Sequence, residues 1–404
     1  LYKVAVTGIG AISVLGSTLL EISDSLKNGR SGIVIDNTRA KLGFESPLTG
    51  KIKDFDPKDW LGRKQRKTMP DYAVQAYAAS RQALDQSGLS ERDLQSDETG
   101  LIFGCDSSCI AALEQVDLLK KRGETALIGS GAVFRSMTSC ITMNLNALFK
   151  TRGAAWTISS ACSSGGHAVG QAFNLIASGQ QERVICGGAQ EINWQSMCSF
   201  DGLGAFSSNI AHPAQASRPF DEKRDGLVPS GGAAAIVLER YELAEARGAD
   251  ILGTIAGYGF SSDGGHISVP GKNGLARAGA KAIKQADLSV ADIDYICAHA
   301  TATPAGDAAE IENIRTLFKG SNPNISSTKS MTGHELWMSG ASQVVYTVLM
   351  NMGGFTAPNI NFAAGSDETK GLKIIPETVY EPPRNALLNS AGFGGTNSCL
   401  ILKF

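Results

Sequence analysis

The amino-acid sequence predicts an α/β protein of two similar halves, and three observations carry that expectation. Apolar strand-like segments alternate with helical ones from the first residues onward. Near Ile251 the alternation starts again in a similar outline. The 404 residues are 43% hydrophobic and 19% charged, with a formal net charge of -2, which suits a large buried core. The same composition narrows the function. No apolar run approaches the roughly 18 residues of a membrane span. The chain opens on a strand-like segment with no secretory signal, so a cytoplasmic protein without a membrane partner is expected. Near-neutral charge argues against a nucleic-acid partner, because phosphate contacts need a basic face. The eight cysteines contain no CxxC pair, and Cys105 and Cys109 lack a matching Cys/His pair, so reduced thiols and no metal are expected.

In the first half, KVAVTGIGAIS (Lys3 to Ser13) reads as an apolar strand ending in a glycine turn, and Leu19, Ile22 and Leu26 recur at helical spacing. TGIGAIS lacks the full GxGxxG fingerprint and a suitably placed acidic residue, so a dinucleotide site is not expected. A basic run, Arg63, Lys64, Arg66 and Lys67, precedes a helix over Tyr72 to Ser87, a Gly88 stop and a strand from Gly100 to Gly104. Such a run is ordinarily a solvated face. Cys105 to Leu148 reads as mostly helical, with Lys120 to Gly123 as a loop. RVICGGAQE is a buried strand, and Ala216 to Glu239 is a polar stretch ending in the strand Ala233 to Leu238. Its Arg218, Asp221, Arg224 and Asp225 are expected to fix a loop by internal ion pairs.

The segment WTISSACSSGGHAVG (Trp156 to Gly170) carries the chemistry of this half. An apolar approach runs into small residues around Cys162, and Val169, Phe173 and Ile176 then recur at helical spacing. Cys162 is thus expected on a tight turn at a helix N-terminus. There, unpaired N–H groups and the helix dipole lower a thiol's pKa. A cysteine is ordinarily one more small hydrophobe. Here Ala161, Ser163, Ser164, Gly165 and Gly166 are expected to leave room for a substrate.

The second half repeats the first in outline: GTIAGYGFSSD echoes VAVTGIGAIS, and DYICAHATATP echoes GLIFGCDSS. TGHELWMSGASQVVYTVL stands where the Cys162 turn and helix stood, so a pseudo-twofold molecule with facing turns is expected. His299 follows a buried strand, where α/β proteins gather ligands. Lys329 and His334 precede a helix with Trp337, Ala341, Val344, Val345 and Val348 on its buried face. His167, His212 and His266 lack such context and are expected to be structural. In NSAGFGGTNSCLIL, the glycines around Phe393 let backbone N–H groups approach a ligand oxygen, and a hairpin turn between Leu387 and Leu400 is compatible with that.

Together these segments resemble the β-ketoacyl-[acyl-carrier-protein] synthases, condensing enzymes of fatty-acid and polyketide synthesis with the thiolase fold. The marks are SSACSSGGHAVG, RPFDEKRDG, HATATPAGD, STKSMTGH and NSAGFGGTN, in family order over essentially the whole chain. The resemblance implies a thiolase-like, layered αβαβα fold with two pseudo-repeated halves. Residues 1–250 would carry the nucleophile and 251–404 the two histidines. The two-histidine pattern resembles the elongating synthases rather than the initiating ones, where asparagine replaces one histidine. Cys399 is not in the CxG context of thiolases.

By that resemblance, Cys162 takes the acyl chain as a thioester, and His299 and His334 assist decarboxylation of a malonyl thioester. Backbone N–H groups of Cys162 and Phe393, with Gly394 beside them, form the oxyanion hole and gate. Lys329 and Glu310 form a supporting ion pair, Thr301 and Thr303 hold the pantetheine arm, and Phe200 contacts the substrate. Arg63, Lys64 and Lys67, with Lys120 and Lys121 of a neighbouring subunit, dock an acyl carrier protein. No cofactor is implied, because phosphopantetheine arrives on the carrier, and a homodimer is implied. The alternative is a chain-length-factor-like, non-catalytic subunit of a heterodimer, although such subunits usually lack the cysteine; a cysteine hydrolase is a third reading. The chain departs from the family at Ala300, at the Glu335-Leu336-Trp337-Met338 run and at Ala391. Trp337 in place of a small residue and Ala391 in place of phenylalanine are expected to compensate by packing on one another.

Overall fold

The computed structural model describes residues 1–107, 109–363 and 367–404. Strand β1 (Val4–Ile12) is buried at every position, the mark of a strand covered on both faces. A small hairpin, β2 (Ile33–Ile35) and β3 (Leu48–Gly50), stands apart from the main sheet. The first half continues with β4 (Thr99–Gly104), β5 (Ala155–Ile158), β6 (Arg183–Gln190) and β7 (Gly232–Arg240). The second half supplies β8 (Gly253–Ser262), β9 (Tyr295–Cys297), β10 (Asn324–Ser326), β11 (Lys373–Ile374), β12 (Asn385–Gly392) and β13 (Thr396–Lys403).

The pairing pattern occurs twice. In the first half β5, β4 and β6 run parallel, and β7 and then β1 follow antiparallel. In the second half β10, β9 and β12 run parallel, and β13 and then β8 follow antiparallel. The short β11 extends the second edge. The two sets join where Val4, Ala5 and Val6 of β1 lie opposite Ile255, Thr254 and Gly253 of β8. Among the described residues the result is one sheet of eleven strands whose ends are β11 and β5.

The helices Ser164–Ala177 and Ser339–Gly353 pack on each other and on strands of both halves, forming the middle layer. Residues Ser339 to Met350 are all buried, as expected of a helix with no solvent face. Asp71–Ser87 covers β1 and β7 from outside, while Gly274–Gln285 covers β8 and β13 with Pro304–Leu317 beside it. This is a five-layer αβαβα arrangement.

The GxG echo between the halves has a packing cause. A Cβ at Gly8 or Gly10 would collide with the carbonyl oxygen of Ala83 or Ala79 in the outer helix. At Gly257 or Gly259 it would meet that of Ala282 or Ala278. Gln86 and Gln82 accept hydrogen bonds from the N–H groups of Ile9 and Ala11 at 2.9 Å, and Gln285 accepts from Tyr258 N–H at 2.9 Å. Each half therefore seats a helix on a glycine-notched strand. One local expectation is corrected: Lys120, Lys121 and Arg122 form the last turn of the helix Ile110–Arg122, and only Gly123 leaves it, with φ 74°.

Candidate active site

Cys162 sits in a single turn (Ala161–Ser163) between the end of β5 and the helix Ser164–Ala177. Ala161 has φ 46°, a left-handed conformation that costs a non-glycine residue roughly 1–2 kcal/mol. Short hydrogen bonds hold the turn: Ser164 Oγ donates to Ala161 O at 2.6 Å, and Ser163 Oγ to Ser160 O at 2.7 Å.

Two expectations about this turn are corrected. Cys162 is only 7% exposed. A Cβ at Gly165 would lie 2.9 Å from Trp337 O, and one at Gly166 would lie 2.7 Å from Ser398 Oγ, so these glycines admit neighbouring protein rather than substrate. Nor does the thiol rest at a lowered pKa. Burial pushes it up to about 12, and the opposing pulls come from the Lys329 charge and the N–H groups of Cys162 and Phe393.

His299 and His334 meet edge to face, with ring centroids 5.3 Å apart and planes at 86°. His299 follows β9, and its backbone N–H donates to Glu310 Oε1 at 2.9 Å. His334 is pinned beside β7, donating its N–H to Val228 O at 2.7 Å and accepting from Ser230 N–H at 2.8 Å. Leu336 N–H donates to His334 Nδ1 at 3.3 Å, so the proton of the neutral ring is on Nε2. Burial first, then the Lys329 charge, pushes both rings well below the ordinary histidine range, with His334 adding to the effect on His299. Among the described residues no group hydrogen-bonds Nε2 of either ring.

Lys329 is 1% exposed, which excludes a surface lysine, but the expected ion pair with Glu310 is not formed. No carboxylate of the described residues lies within 4.0 Å of its Nζ, and Nζ has no hydrogen-bond partner. Glu310 is already occupied, accepting from His299 N–H (2.9 Å), Ala300 N–H (2.6 Å) and Asn389 Nδ2 (3.0 Å). Its link to Lys329 is long-range attraction.

Phe393 and Gly394 lie in the turn joining β12 to β13, the hairpin read from the sequence. A Cβ on Gly392 would lie 3.0 Å from Ser160 O and 3.1 Å from Ala161 Cβ, so this turn is seated against the Cys162 turn. The Phe393 side chain is 41% exposed and stacks on Phe200 at 6.2 Å, which stacks on Phe206 at 6.3 Å. Gly394, at φ 78°, donates its N–H to Ile267 O at 2.7 Å. Thr301 and Thr303 share a hydroxyl contact of 3.1 Å, and Thr301 N–H donates to Asp307 at 3.0 Å. Arg63, Lys64 and Lys67 are exposed and, among the described residues, form no ion pair.

The structure adds a residue that the sequence did not single out, Asn389, which reaches Glu310 from β12. Asp307, the acidic start of the helix Pro304–Leu317, clamps the Thr301 and Phe220 N–H groups. Of the internal ion pairs expected in the 216–239 stretch only Arg218–Asp221 forms among the described residues, at 3.5 Å, while Arg224 reaches outside it to Glu368 at 2.7 Å. Glu335, 1% exposed, is bound by Ser342 and Tyr346. Its signal was available, since it is a lone carboxylate at the head of an apolar run. Trp337 is buried in a cluster with Phe103, Cys140 and Cys162, and Ala391 is not part of that cluster. The two departures are therefore absorbed separately.

Comparison with known proteins agrees with this geometry. Residues 2–244 match the beta-ketoacyl synthase N-terminal domain, and residues 252–363 match its C-terminal domain. The 3-oxoacyl-[acyl-carrier-protein] synthase 1 of Haemophilus influenzae is 38% identical over 404 residues, covering 99% of this chain and 98% of that protein. A beta-ketoacyl synthase from Burkholderia phymatum superposes with a TM-score of 0.94 at 33% identity, over 100% of this chain and 99% of that one. A type II PKS acyl-carrier protein in complex with its ketosynthase bound to the hexaketide gives a TM-score of 0.89 at 26% identity, over 100% and 99%. With a cysteine turn, a histidine pair and a glycine hairpin gathered at one place in a thiolase-like fold, the chain belongs to the β-ketoacyl synthase family.

Proposed function

We propose that Cys162, His299, His334 and the Phe393 turn together run the elongating condensation of fatty-acid synthesis that the family performs. Their convergence from four separated segments carries this reading. Cys162 sulfur attacks the thioester carbonyl of an acyl chain on carrier-protein phosphopantetheine. The carbonyl–sulfur bond to pantetheine breaks, and the pantetheine thiol leaves with the proton that Cys162 gives up. The oxyanion formed on the way is met by the N–H groups of Cys162 and Phe393, preorganised donors that act most strongly where water is excluded.

A malonyl thioester then takes the vacated arm, with Thr301 and Thr303 beside it. Its carboxylate leaves as carbon dioxide, and the bonding pair becomes an enolate whose oxygen faces the Nε2–H of His334 and the ring of His299. The enolate carbon attacks the Cys162 thioester, a carbon–carbon bond forms, and Cys162 sulfur departs and regains a proton from solvent. Neutral histidines suit this task, since they donate without holding a charge in a dry site. Phe200, stacked on Phe393, borders the acyl path.

The partner is an acyl carrier protein, as the 26% identical neighbour has one bound. The exposed Arg63, Lys64 and Lys67, with Lys120 and Lys121 of a second copy, suit its acidic surface, and salt should weaken that contact. Residues 1–250 and 251–404 form the two halves of this reading, working in the cytoplasm as a homodimer. No described helix is long and apolar enough to cross a membrane. Incubating the protein with a ladder of acyl-carrier proteins and malonyl-carrier protein, and weighing the products, tests the whole. Elongation by two carbons is expected from the wild type, and neither acyl-enzyme nor product from Cys162→Ala. Product from that variant, or acyl mass on another cysteine, would overturn it.

A further inference from the structure

Glu335 is a fully buried carboxylate at the head of residues 336–353, which contain no other charge. Burial raises the affinity of this carboxylate for a proton, and it stays charged to the extent that its oxygens are bound and a cation answers it. Both oxygens are bound: Ser342 Oγ donates to Oε2 at 2.6 Å, and Tyr346 hydroxyl donates to Oε1 at 2.5 Å. Tyr346 is itself held 2.8 Å from Ser13 Oγ at the end of β1. The answering charge is the buried ammonium of Lys329, whose Nζ has no hydrogen-bond partner among the described residues and whose other carboxylate, Glu310, is taken up by His299, Ala300 and Asn389.

The backbone between Lys329 and Glu335 carries His334. Gly333 has φ 70° and Leu336 has φ 45°, a conformation that a leucine holds only when its surroundings impose it. This left-handed residue delivers the N–H that fixes the His334 tautomer. Glu335, immediately before it, is tethered by its carboxylate to the helix Ser339–Gly353 and accepts Met338 N–H on its carbonyl at 3.0 Å. We infer that Glu335 is a positioning residue for decarboxylation: its carboxylate is the second counter-charge of Lys329 and the anchor of the turn that aims His334. The inference rests on the role given above to His334, and it takes the Lys329 charge as part of the field that stabilises the enolate, so that loss of the Lys329 proton sets the basic limb.

The groups facing Lys329 are Cys162 from the nucleophile turn, Cys297 from β9, Glu310 from the helix Pro304–Leu317, Glu335, and the rings of His299 and His334. Burial lowers the affinity of Lys329 for its proton, and the acidic groups among these restore it. Those facing Glu335 are Lys329 and Tyr346. Removing the Glu335 charge therefore makes Lys329 shed its proton at lower pH.

The test uses the full chain, with malonyl-carrier-protein decarboxylation followed against pH. Glu335→Gln should move the basic limb to lower pH by about one unit and lower kcat about tenfold or more, with KM for the malonyl carrier little changed. Tyr346→Phe, which loosens the anchor but keeps the charge, should lower kcat and leave the basic limb in place. A Glu335→Gln enzyme that is slower or less heat-stable with an unmoved limb has lost only structure, and overturns the inference. His334→Ala separates the two readings. If it decarboxylates like wild type, the assigned site falls; if it is inactive while Glu335→Gln keeps the wild-type profile, only the role of Glu335 falls. Should Glu335→Gln not fold, Ser342→Ala/Tyr346→Phe strips the carboxylate of both donors and must raise the acid limb. An unmoved acid limb overturns the proposal as well.

Discussion

At the scale of single residues, the site is governed by one buried cation. Lys329 favours the thiolate of Cys162 and disfavours the charged forms of His299 and His334, so it pushes three groups toward their working states at once. Replacing it with an uncharged side chain should undo all three. In Lys329→Met the Cys162 thiol is expected to titrate still higher. Its alkylation by iodoacetamide at fixed pH should then slow about tenfold for each pH unit by which that titration rises. Alkylation rates equal to wild type would remove Lys329 from the account of the nucleophile. The histidines divide the labour differently. His299→Ala or His334→Ala should suppress malonyl decarboxylation by about 100-fold or more while acyl transfer to Cys162, followed by mass, falls far less. Equal losses in both half-reactions would contradict this division. The reactive residues were legible in the sequence because each stands in a short motif. Their partners were not: Glu310 is claimed by Asn389 and by two backbone N–H groups, a choice made by tertiary contacts that no local spacing encodes.

At the scale of elements, the site exists because two helices approach closely enough to bring their N-terminal turns together. A Cβ on Gly340 would collide with the backbone N and Cα of Gly166 in the helix behind Cys162. Gly340→Ala is therefore expected to push the two turns apart and destabilise the fold by about 1–3 kcal/mol, measured by urea unfolding. An unchanged midpoint would mean that the helices can slide without cost. His167 ties the same helix to the second half, with Nδ1 2.6 Å from Tyr258 hydroxyl and Nε2 3.0 Å from Thr396 Oγ1, the structural role expected of it. Burial holds its pKa down to about 4, against an ordinary value of 6.5. The fold thus favours the neutral ring. The stability it contributes is full above pH 6.5 and lost as pH falls through about 4, amounting to about 3 kcal/mol. Asp307, raised by burial to about 7, acts in the opposite sense, so the whole stability curve does not isolate His167. The difference between wild type and His167→Gln does: it should be larger at pH 7 than at pH 4, and a difference independent of pH would refute the assignment. The strand and helix order was legible in the sequence through its periodicities. The purpose of the GxG echo was not, because a notch for a helix and a phosphate turn look alike until the helix is in place.

At the scale of the whole molecule, the sheet ends in an uncovered strand. Among the described residues β5, the last of the eleven, is paired only with β4, and its Trp156 is 46% exposed. Nearby in sequence, Val133, Phe134, Met137 and Met143 also stand exposed, as do Leu113, Val116 and Leu119 on the helix Ile110–Arg122. An open strand edge with apolar residues around it invites pairing with another chain. A second copy of the same chain satisfies it most simply, because a twofold axis sets the patch against itself. The turn carrying Cys162 begins just after β5, so a contact that fixes this edge also fixes the nucleophile. Trp156→Lys tests the proposed homodimer directly. It removes a large apolar side chain and sets two like charges near one another across the axis. Light scattering at micromolar concentration should then show a monomer where the wild type shows a dimer, and condensation should fall with the dimer fraction. Dilution of the wild type should reproduce both effects without any substitution, which separates assembly from local damage at β5. If Trp156→Lys remains dimeric, or if the diluted wild type is a fully active monomer, pairing across β5 is not what completes this enzyme.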